Sequence, residues 1–137
     1  MTSICRSRPL ERSDAGWRVF ATVVTPNLFE CQALSGLDSI ETVEDLKEAA
    51  RRIHALGPRY VVAKGGAGLP GDDAVDVLFD GEAFHEFRAP KLGDRYVSGA
   101  GCTLAAAITA ELAKGTDVPE AVRIAKDVVT RAIENRI

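Results

Sequence analysis

Short apolar runs alternate with amphipathic stretches along most of this chain, a pattern typical of an α/β fold. Residues 20–25 and 59–64 are β-branched, apolar runs of the kind that form buried strands. Between them, apolar residues recur every three to four positions over residues 43–56, which predicts an amphipathic helix. A strand, a helix and a second strand in this order predict a right-handed βαβ unit with two parallel strands.

Polar residues predict where the first two helices begin. Asn27 is a candidate N-cap for a helix from residue 28 to about residue 36. Thr42, with Asp45 three residues later, resembles a capping box at the start of the second helix. Each helix therefore has a local signal at its N-terminus in addition to its hydrophobic pattern.

Asp80-Gly81 lies between two strand-like runs, residues 74–79 and 82–87. An Asp-Gly pair in that position predicts a β-hairpin. We therefore expect an antiparallel element at the edge of a mostly parallel sheet, with helices covering the sheet. Beyond a loop, two more helices are predicted, from about residue 102 to 114 and after Asp117.

Composition excludes several classes of function. The 137 residues include 17 Lys and Arg against 20 Asp and Glu, a formal net charge of −3, which argues against a general nucleic-acid binder. The longest apolar run, residues 104–113, is too short to span a membrane. Cys5, Cys31 and Cys102 lack metal-ligand spacing, and three separate thiols fit a reducing cytoplasm.

Residues 1–20 differ from the remainder of the chain. Residues 1–18 carry four arginines against two acidic residues, a net charge of +2, whereas the following residues carry −5. The same stretch shows neither helical nor strand periodicity. We therefore predict a basic, disordered N-terminal segment over residues 1–20 and one folded unit over residues 21–137.

The strongest local signal for chemistry is Gly99-Ala100-Gly101, followed by Cys102 and Thr103 at a helix start. Free backbone N–H groups in such a loop, together with the helix dipole, attract an anion such as a phosphate. A tight turn that needs glycine is the alternative. The dipole would also stabilise a Cys102 thiolate as a base or nucleophile, although a lone cysteine is often a small buried residue.

Polar side chains also follow the first two predicted strands. Lys64 ends the second strand and precedes Gly65-Gly66, at the carboxyl edge where ligands of α/β sheets bind. An exposed lysine at a strand end is the alternative. Asn27 and Glu30 follow the first strand at the same edge and offer oxygen ligands suited to Mg²⁺. A helix cap and a first-turn acid explain the same two residues without a metal.

Five segments together resemble the ribokinase-like small-molecule kinases, in the branch of pyridoxine kinases and hydroxymethylpyrimidine (phosphate) kinases. They are V-T-P-N-L-F-E from residue 24, V-V-A-K-G-G from 61, A-V-D-V-L-F-D-G from 74, S-G-A-G-C-T-L-A-A-A-I from 98 and A-E-L-A-K-G from 110. The resemblance runs from about residue 21 to the C-terminus. It implies the C-terminal half of a three-layer α/β fold, in which helices flank a mostly parallel sheet with a hairpin at its edge.

The resemblance implies an activity and its cofactors. The expected reaction is ATP-dependent phosphorylation of the hydroxymethyl group of pyridoxine or pyridoxal, or of hydroxymethylpyrimidine and its phosphate, with the pyridine substrate slightly favoured. ATP, Mg²⁺, a small-molecule substrate, a cytoplasmic location and a homodimer are implied with it. Ser98 departs from the histidine that is usual in the pyrimidine-kinase pattern, which puts the rate or the substrate fit in doubt.

The resemblance also assigns roles to individual residues. The implied anion hole and base are Gly99, Ala100, Gly101 and Cys102; the implied ATP contacts are Lys64, Gly65, Gly66 and Thr103; the implied metal ligands are Asn27 and Glu30. Family members are about twice as long, since a three-layer domain of this kind needs more chain. We therefore expect a truncated or frameshifted product, or a misassigned start; the alternative is a non-catalytic remnant that at most binds nucleotide.

Overall fold

The structure is a computed structural model that describes residues 10–13, 16–19, 22–91 and 100–135. Its elements in chain order are β1 (Leu10–Ser13), β2 (Gly16–Val19), β3 (Val23–Val24), α1 (Leu28–Ser35), α2 (Val43–His54), β4 (Tyr60–Gly66), β5 (Asp73–Phe79), β6 (Phe84–Pro90), α3 (Ala100–Ala113) and α4 (Val118–Glu134). Strands β3 to β6 form one sheet in the order β3-β4-β5-β6. The predicted α/β organisation, with its βαβ unit and its hairpin, is confirmed.

Among the described strands of this sheet, one pairing is parallel. Strand β3 pairs in parallel with β4, whereas β4 with β5 and β5 with β6 are antiparallel. The connection between β4 and β5, residues 67–72, is too short for the crossover that parallel strands require. The sequence predicts a mostly parallel sheet, and the described part of the sheet is mixed for this reason.

Strand alternation divides the core into two buried clusters, one on each face of the sheet. The first cluster, on the side of α1 and α2, includes Val24, Leu46, Ile53, Val61 and Val77. The second cluster lies on the other face, where α3 and α4 pack on the sheet. It includes Val23, Val62, Leu78, Leu104, Ile108 and Val122. Successive residues of a strand point to opposite faces, so the apolar runs serve both clusters. The result is the expected three layers.

The capping prediction for α2 is confirmed in detail. Thr42 Oγ1 accepts a hydrogen bond from the Asp45 N–H at 3.1 Å. In return, Asp45 Oδ2 accepts from the Thr42 N–H, also at 3.1 Å. The reciprocal pair satisfies two backbone donors that have no partner inside the helix.

The N-terminal region contains a separate hairpin. The sequence predicts no regular structure in residues 1–20, but β1 and β2 pair antiparallel, with Leu10 opposite Val19 and Glu11 opposite Arg18. Strands of four residues give too few alternations for periodicity to reveal them. Residues 1–9 and 20 lie outside the described residues, so a boundary at residue 20 stays a prediction.

Helix α3 begins two residues earlier than the sequence predicts and includes Ala100 and Gly101 in its first turn. At 14 residues it is shorter than the roughly 20 needed to cross a bilayer. Across the described ranges, no helix combines the length and hydropathy of a membrane span. A cytoplasmic location stays a prediction.

The turn after β5 is held by one aspartate. Asp80 Oδ1 accepts hydrogen bonds from the Ala83 and Glu82 N–H groups, both at 2.8 Å. Its Oδ2 lies 3.3 Å from His85 Nε2. The two backbone donors, and then His85, lower the pKa of Asp80 from 3.8 to about 2. The ionised carboxylate therefore stabilises the turn.

We expect the Asp80→Asn variant to lose part of the acid sensitivity of the wild type. A carboxyl with a pKa of about 2 in the fold, and 3.8 otherwise, stabilises the fold above pH 4 and loses this effect as the pH falls towards 2. The difference in Tm between wild type and Asp80→Asn should therefore shrink over this range, as thermal melts at several pH values would measure. Glu82→Gln is the matched control from the same turn. A difference in Tm that is independent of pH would contradict the assignment.

Candidate active site

The carboxyl ends of β3 and β4 bring two of the predicted segments together. The Lys64 N–H donates a hydrogen bond to the Pro26 carbonyl oxygen at 2.9 Å. Asn27 then forms an isolated parallel bridge with Lys64. Ligands of α/β sheets bind at this edge. The structure thus places a predicted metal ligand and a predicted phosphate ligand side by side on neighbouring chain segments.

Asn27 and Glu30 form a capping box at the start of α1. Asn27 Oδ1 accepts from the Glu30 N–H at 2.8 Å, and Glu30 Oε1 accepts from the Asn27 N–H at 3.2 Å. The cap explains both residues without a metal. Their oxygens are also of the type that Mg²⁺ binds. Within the part of the chain that the structure describes, no three His, Cys, Asp or Glu side chains converge on a metal position, and the metal role of the two residues stays a prediction.

Thr25 adds a polar group that the sequence analysis missed. Its side chain is buried, and its Oγ1 has no hydrogen-bond partner among the described residues. The register of β3 with β4 places it on the same face as Val62, the face that α3 covers. A buried hydroxyl without a partner costs about 1–3 kcal/mol, which a bound water or ligand oxygen would remove. A polar residue inside an apolar strand run was the available signal.

Lys64 presents a cation at this edge. Its side chain is half-buried, and in residues 22–91 and 100–135 its ammonium makes no hydrogen bond or ion pair. Asp76 lies directly opposite on β5, yet its carboxylate is bonded elsewhere. Asp76 Oδ2 accepts from Lys126 Nζ at 2.8 Å, and Oδ1 accepts from the Gly66 N–H at 3.1 Å. Lys64 is therefore available to an anion.

Glycine is required at Gly65 and favoured at Gly66 for different structural reasons. The pairing of β4 with β5 shifts register between Lys64 and Gly66. A Cβ at Gly65 would lie 2.5 Å from the Val75 carbonyl oxygen and 2.9 Å from Leu69 Cδ1. Gly66 has a φ of +53°, with open space around it. Close packing requires the first glycine and backbone conformation favours the second, so a role for either in ATP binding stays a prediction.

The predicted anion loop meets the beginning of α3. Ala100, Gly101 and Cys102 form the first turn, and the exposed Thr103 follows. Gly99 lies outside the described residues, and so do the side chains of the first three residues of the helix. The first-turn N–H groups of a helix have no partner within the helix, as an anion site needs. The catalytic roles of this loop stay predictions.

Helix α3 covers the face of the sheet on which Lys64 lies. Leu104 and Ile108 belong to the same buried cluster as Val23 and Val62. Alternation along β4 places Lys64 on the same side as Val62. The start of α3 and the candidate phosphate-binding lysine are therefore on one face of the sheet.

Cys31 is a second thiol close to the candidate site. Its side chain is fully buried in α1, and Sγ donates to the Pro26 carbonyl oxygen at 3.5 Å. Burial, followed by the nearby Glu30 charge, raises the pKa of Cys31 to about 12. This thiol is therefore neutral at ordinary pH and packs beneath the site.

Comparisons with known proteins agree with the expected family. A family model described as phosphomethylpyrimidine kinase matches residues 16–137, so the match begins before residue 21. The chain is 54% identical over 114 residues to the pyridoxine kinase of Bacillus subtilis, covering 83% of this chain and 42% of that protein. It is 51% identical over 113 residues to the hydroxymethylpyrimidine/phosphomethylpyrimidine kinase of Streptomyces coelicolor, covering 82% and 41%. The chain spans about two fifths of the length of these relatives.

Solved structures of pyridoxal kinases share the fold. An ADP complex of the Bacillus subtilis enzyme has a TM-score of 0.82 at 52% identity, over 85% of this chain and 45% of that one. The Staphylococcus aureus enzyme in complex with AMP-PCP and pyridoxal has a TM-score of 0.81 at 47% identity, over 84% and 43%. These similarities place the sheet and helices in a ribokinase-like fold.

We expect Gly65→Ala to lower the free energy of unfolding by about 1–3 kcal/mol, because the added Cβ overlaps the Val75 carbonyl and Leu69. Urea unfolding would measure the loss. Gly66→Asn is the matched control, since Asn tolerates a positive φ and the space there is open. Equal losses in the two variants would show that close packing at Gly65 is not the cause.

Proposed function

This chain belongs to the phosphomethylpyrimidine kinase family, and on that premise we propose that it forms the ATP-phosphate-binding part of a kinase for a vitamin precursor. The proposed reaction transfers the γ-phosphoryl group to the hydroxymethyl group of pyridoxine or pyridoxal. The observation that carries the proposal is that Lys64 bridges to Asn27 at the carboxyl edge of the sheet, while its ammonium makes no hydrogen bond or ion pair within residues 22–91 and 100–135. Hydroxymethylpyrimidine or its phosphate is the other substrate candidate, because the Streptomyces coelicolor relative is a kinase of that class.

Lys64 is proposed to bind the ATP phosphates. The strand end holds its backbone through the bond to Pro26, so the ammonium extends from a fixed position. Bonding of Asp76 to Lys126 removes the competing carboxylate. A fixed cation that gains a phosphate oxygen forms a charge-assisted hydrogen bond, which is stronger than a neutral one. Gly65, Gly66 and Thr103 are proposed as further ATP contacts.

The residues at the same edge fit Mg²⁺. Three oxygen atoms of different chemical types lie within residues 25–30: those of the Asn27 amide, the Glu30 carboxylate and the Thr25 hydroxyl, which has no partner among the described residues. We propose Asn27 and Glu30 as the residues that hold the ion, directly or through water. When bound, Mg²⁺ supplies positive charge that offsets the charge of the phosphates.

The start of α3 is proposed to perform the chemical step. The N–H groups of Gly99, Ala100 and Gly101 would stabilise the negative charge of the transferring phosphoryl group. Cys102, as a thiolate favoured by the helix N-terminus, would accept the proton of the substrate hydroxyl. The bond from the substrate oxygen to phosphorus forms while the bond from phosphorus to the ADP oxygen breaks.

Nucleotide binding without phosphoryl transfer is the second candidate function. It is the alternative for these 137 residues, which span about two fifths of the length of the relatives. The two functions differ in turnover and share the Lys64 site. The proposed homodimer applies to either function.

The decisive experiment incubates the purified chain with MgATP and, separately, pyridoxine, pyridoxal, hydroxymethylpyrimidine and its phosphate. Phosphorylated product would be measured by mass spectrometry, and MgATP affinity by calorimetry. Turnover of a pyridine substrate is the expected result. Turnover of the pyrimidines alone would overturn the substrate choice, and binding without turnover would favour the second function. Absence of both binding and turnover would contradict both functions. Light scattering on the same sample would measure the oligomeric state.

We expect Lys64→Met to weaken MgATP binding roughly 10- to 100-fold, the loss typical of one hydrogen bond between charged groups. Calorimetric titration of the full chain would measure the Kd. Lys114→Met is the control, because that lysine is exposed and bonded to Glu111. An unchanged affinity for Lys64→Met would remove this residue from the proposed site.

A further inference from the structure

We propose that Lys126 keeps Lys64 available to its anionic ligand by occupying the carboxylate of Asp76. Asp76 and Lys126 are then positioning residues that act through Lys64. The inference rests on the proposed function only in taking that anion to be the ATP phosphates. Which of the two lysines bonds to Asp76 is a property of the fold, and it is tested without nucleotide below.

Lys64 and Asp76 are natural partners by register. They lie directly opposite each other on antiparallel strands β4 and β5. Side chains opposite each other share a face, with Cβ atoms roughly 4.5–5.5 Å apart, and opposite charges in such positions attract. The expected contact between the two is nevertheless absent among the described residues, and this absence requires a physical reason.

The reason is that both oxygens of Asp76 already have donors. Lys126 reaches from α4 to within 2.8 Å of Oδ2. The side chains of this pair are 11% and 9% exposed, so water screens their attraction weakly. The Gly66 N–H donates to Oδ1 at 3.1 Å, inside the register shift. Asp76 thereby fixes the backbone at Gly66 and forms no ion pair with Lys64.

Removal of the Lys126 charge would change this arrangement. A buried carboxylate that loses its cation is strongly destabilised and recruits another partner where one is within reach. Lys64 is the cation opposite it and has a flexible stem. Lys64 would then pair with Asp76, and the energy of that pair would oppose its binding to a phosphate. Lys126 therefore acts on the ligand site without touching the ligand.

The test measures the reactivity of single lysines in the full chain. Brief treatment with acetic anhydride and peptide mass spectrometry give the acetylation rates of Lys64 and Lys126 in the wild type and variants. Lys126→Gln retains a hydrogen-bond donor and removes the charge. In this variant we expect Lys64 acetylation to slow roughly 3- to 10-fold, because the lysine becomes paired. In Asp76→Asn/Lys126→Gln, which has no carboxylate to pair with it, we expect the wild-type rate.

The outcomes separate positioning from general support of the fold. Loss of packing alone would speed Lys64 acetylation in Lys126→Gln, and would affect the double variant at least as much. Unchanged or faster Lys64 acetylation in Lys126→Gln, or equal slowing in the double variant, would overturn the proposal. If Lys126→Gln shows no cooperative melt, Asp76→Asn decides. If Lys64 in Asp76→Asn is acetylated at the wild-type rate while Lys126 is acetylated faster than in the wild type, the proposal is supported. Faster acetylation of Lys64 in that variant would overturn it.

Nucleotide affinity provides the second readout. MgATP binding should weaken in Lys126→Gln, recover in the double variant and remain at the wild-type level in Lys126→Arg, which keeps the charge. A chain that fails to bind MgATP in its wild-type form would refute the proposed function, while the acetylation rates would still decide the role of Lys126. If the acetylation rates of Lys64 change as expected in Lys126→Gln but its MgATP affinity is unchanged, the proposed link between Lys126 and the ligand is overturned.

Discussion

The backbone hydrogen bond from Lys64 to Pro26 joins the two segments on which the candidate site depends. It extends the parallel pairing of β3 with β4 to the carboxyl edge, where the next contact is the bridge from Asn27 to Lys64. Since β3 has only two residues, this edge is held mainly by its neighbours. The two buried clusters pack against β3 from opposite faces of the sheet, through Val23 on one side and Val24 on the other. The geometry of the site at this position therefore depends on the packing of the core.

Local interactions made much of the fold predictable from the sequence. The caps of α1 and α2 depend on residues three positions apart, and the Asp80 turn on residues within the same loop, so their signals are contiguous. The bond between Lys126 and Asp76 joins residues 50 positions apart. In the sequence, Lys126 is one polar residue on an amphipathic helix, and nothing in its neighbourhood identifies a buried partner. Thr25 was missed because its apolar neighbours explain the strand equally well. The antiparallel pairing of β4 with β5 follows from their short connection, residues 67–72, which leaves no room for a crossover helix.

The capping box of α1 has a consequence for how a ligand would meet the site. Asn27 and Glu30 are held by hydrogen bonds to each other's backbone, so their orientation is set by the helix start. A ligand that binds such groups does not have to immobilise them first, which lowers the entropic cost of association. The same geometry limits substitution. A change at either residue alters both the helix terminus and the oxygen atoms offered at the edge, and the two effects are separated only by comparing stability with affinity.

The contact between Gly65 and the Val75 carbonyl has a meaning for comparisons among related chains. A methyl group at residue 65 would push two paired strands apart, whether or not anything binds nearby. Glycine would thus be retained there by backbone spacing alone. A relative that keeps this glycine but lacks a cation at the position of Lys64 would share the sheet geometry and not the proposed phosphate site. The lysine, and not the glycine that follows it, is therefore the informative position for the proposed nucleotide site.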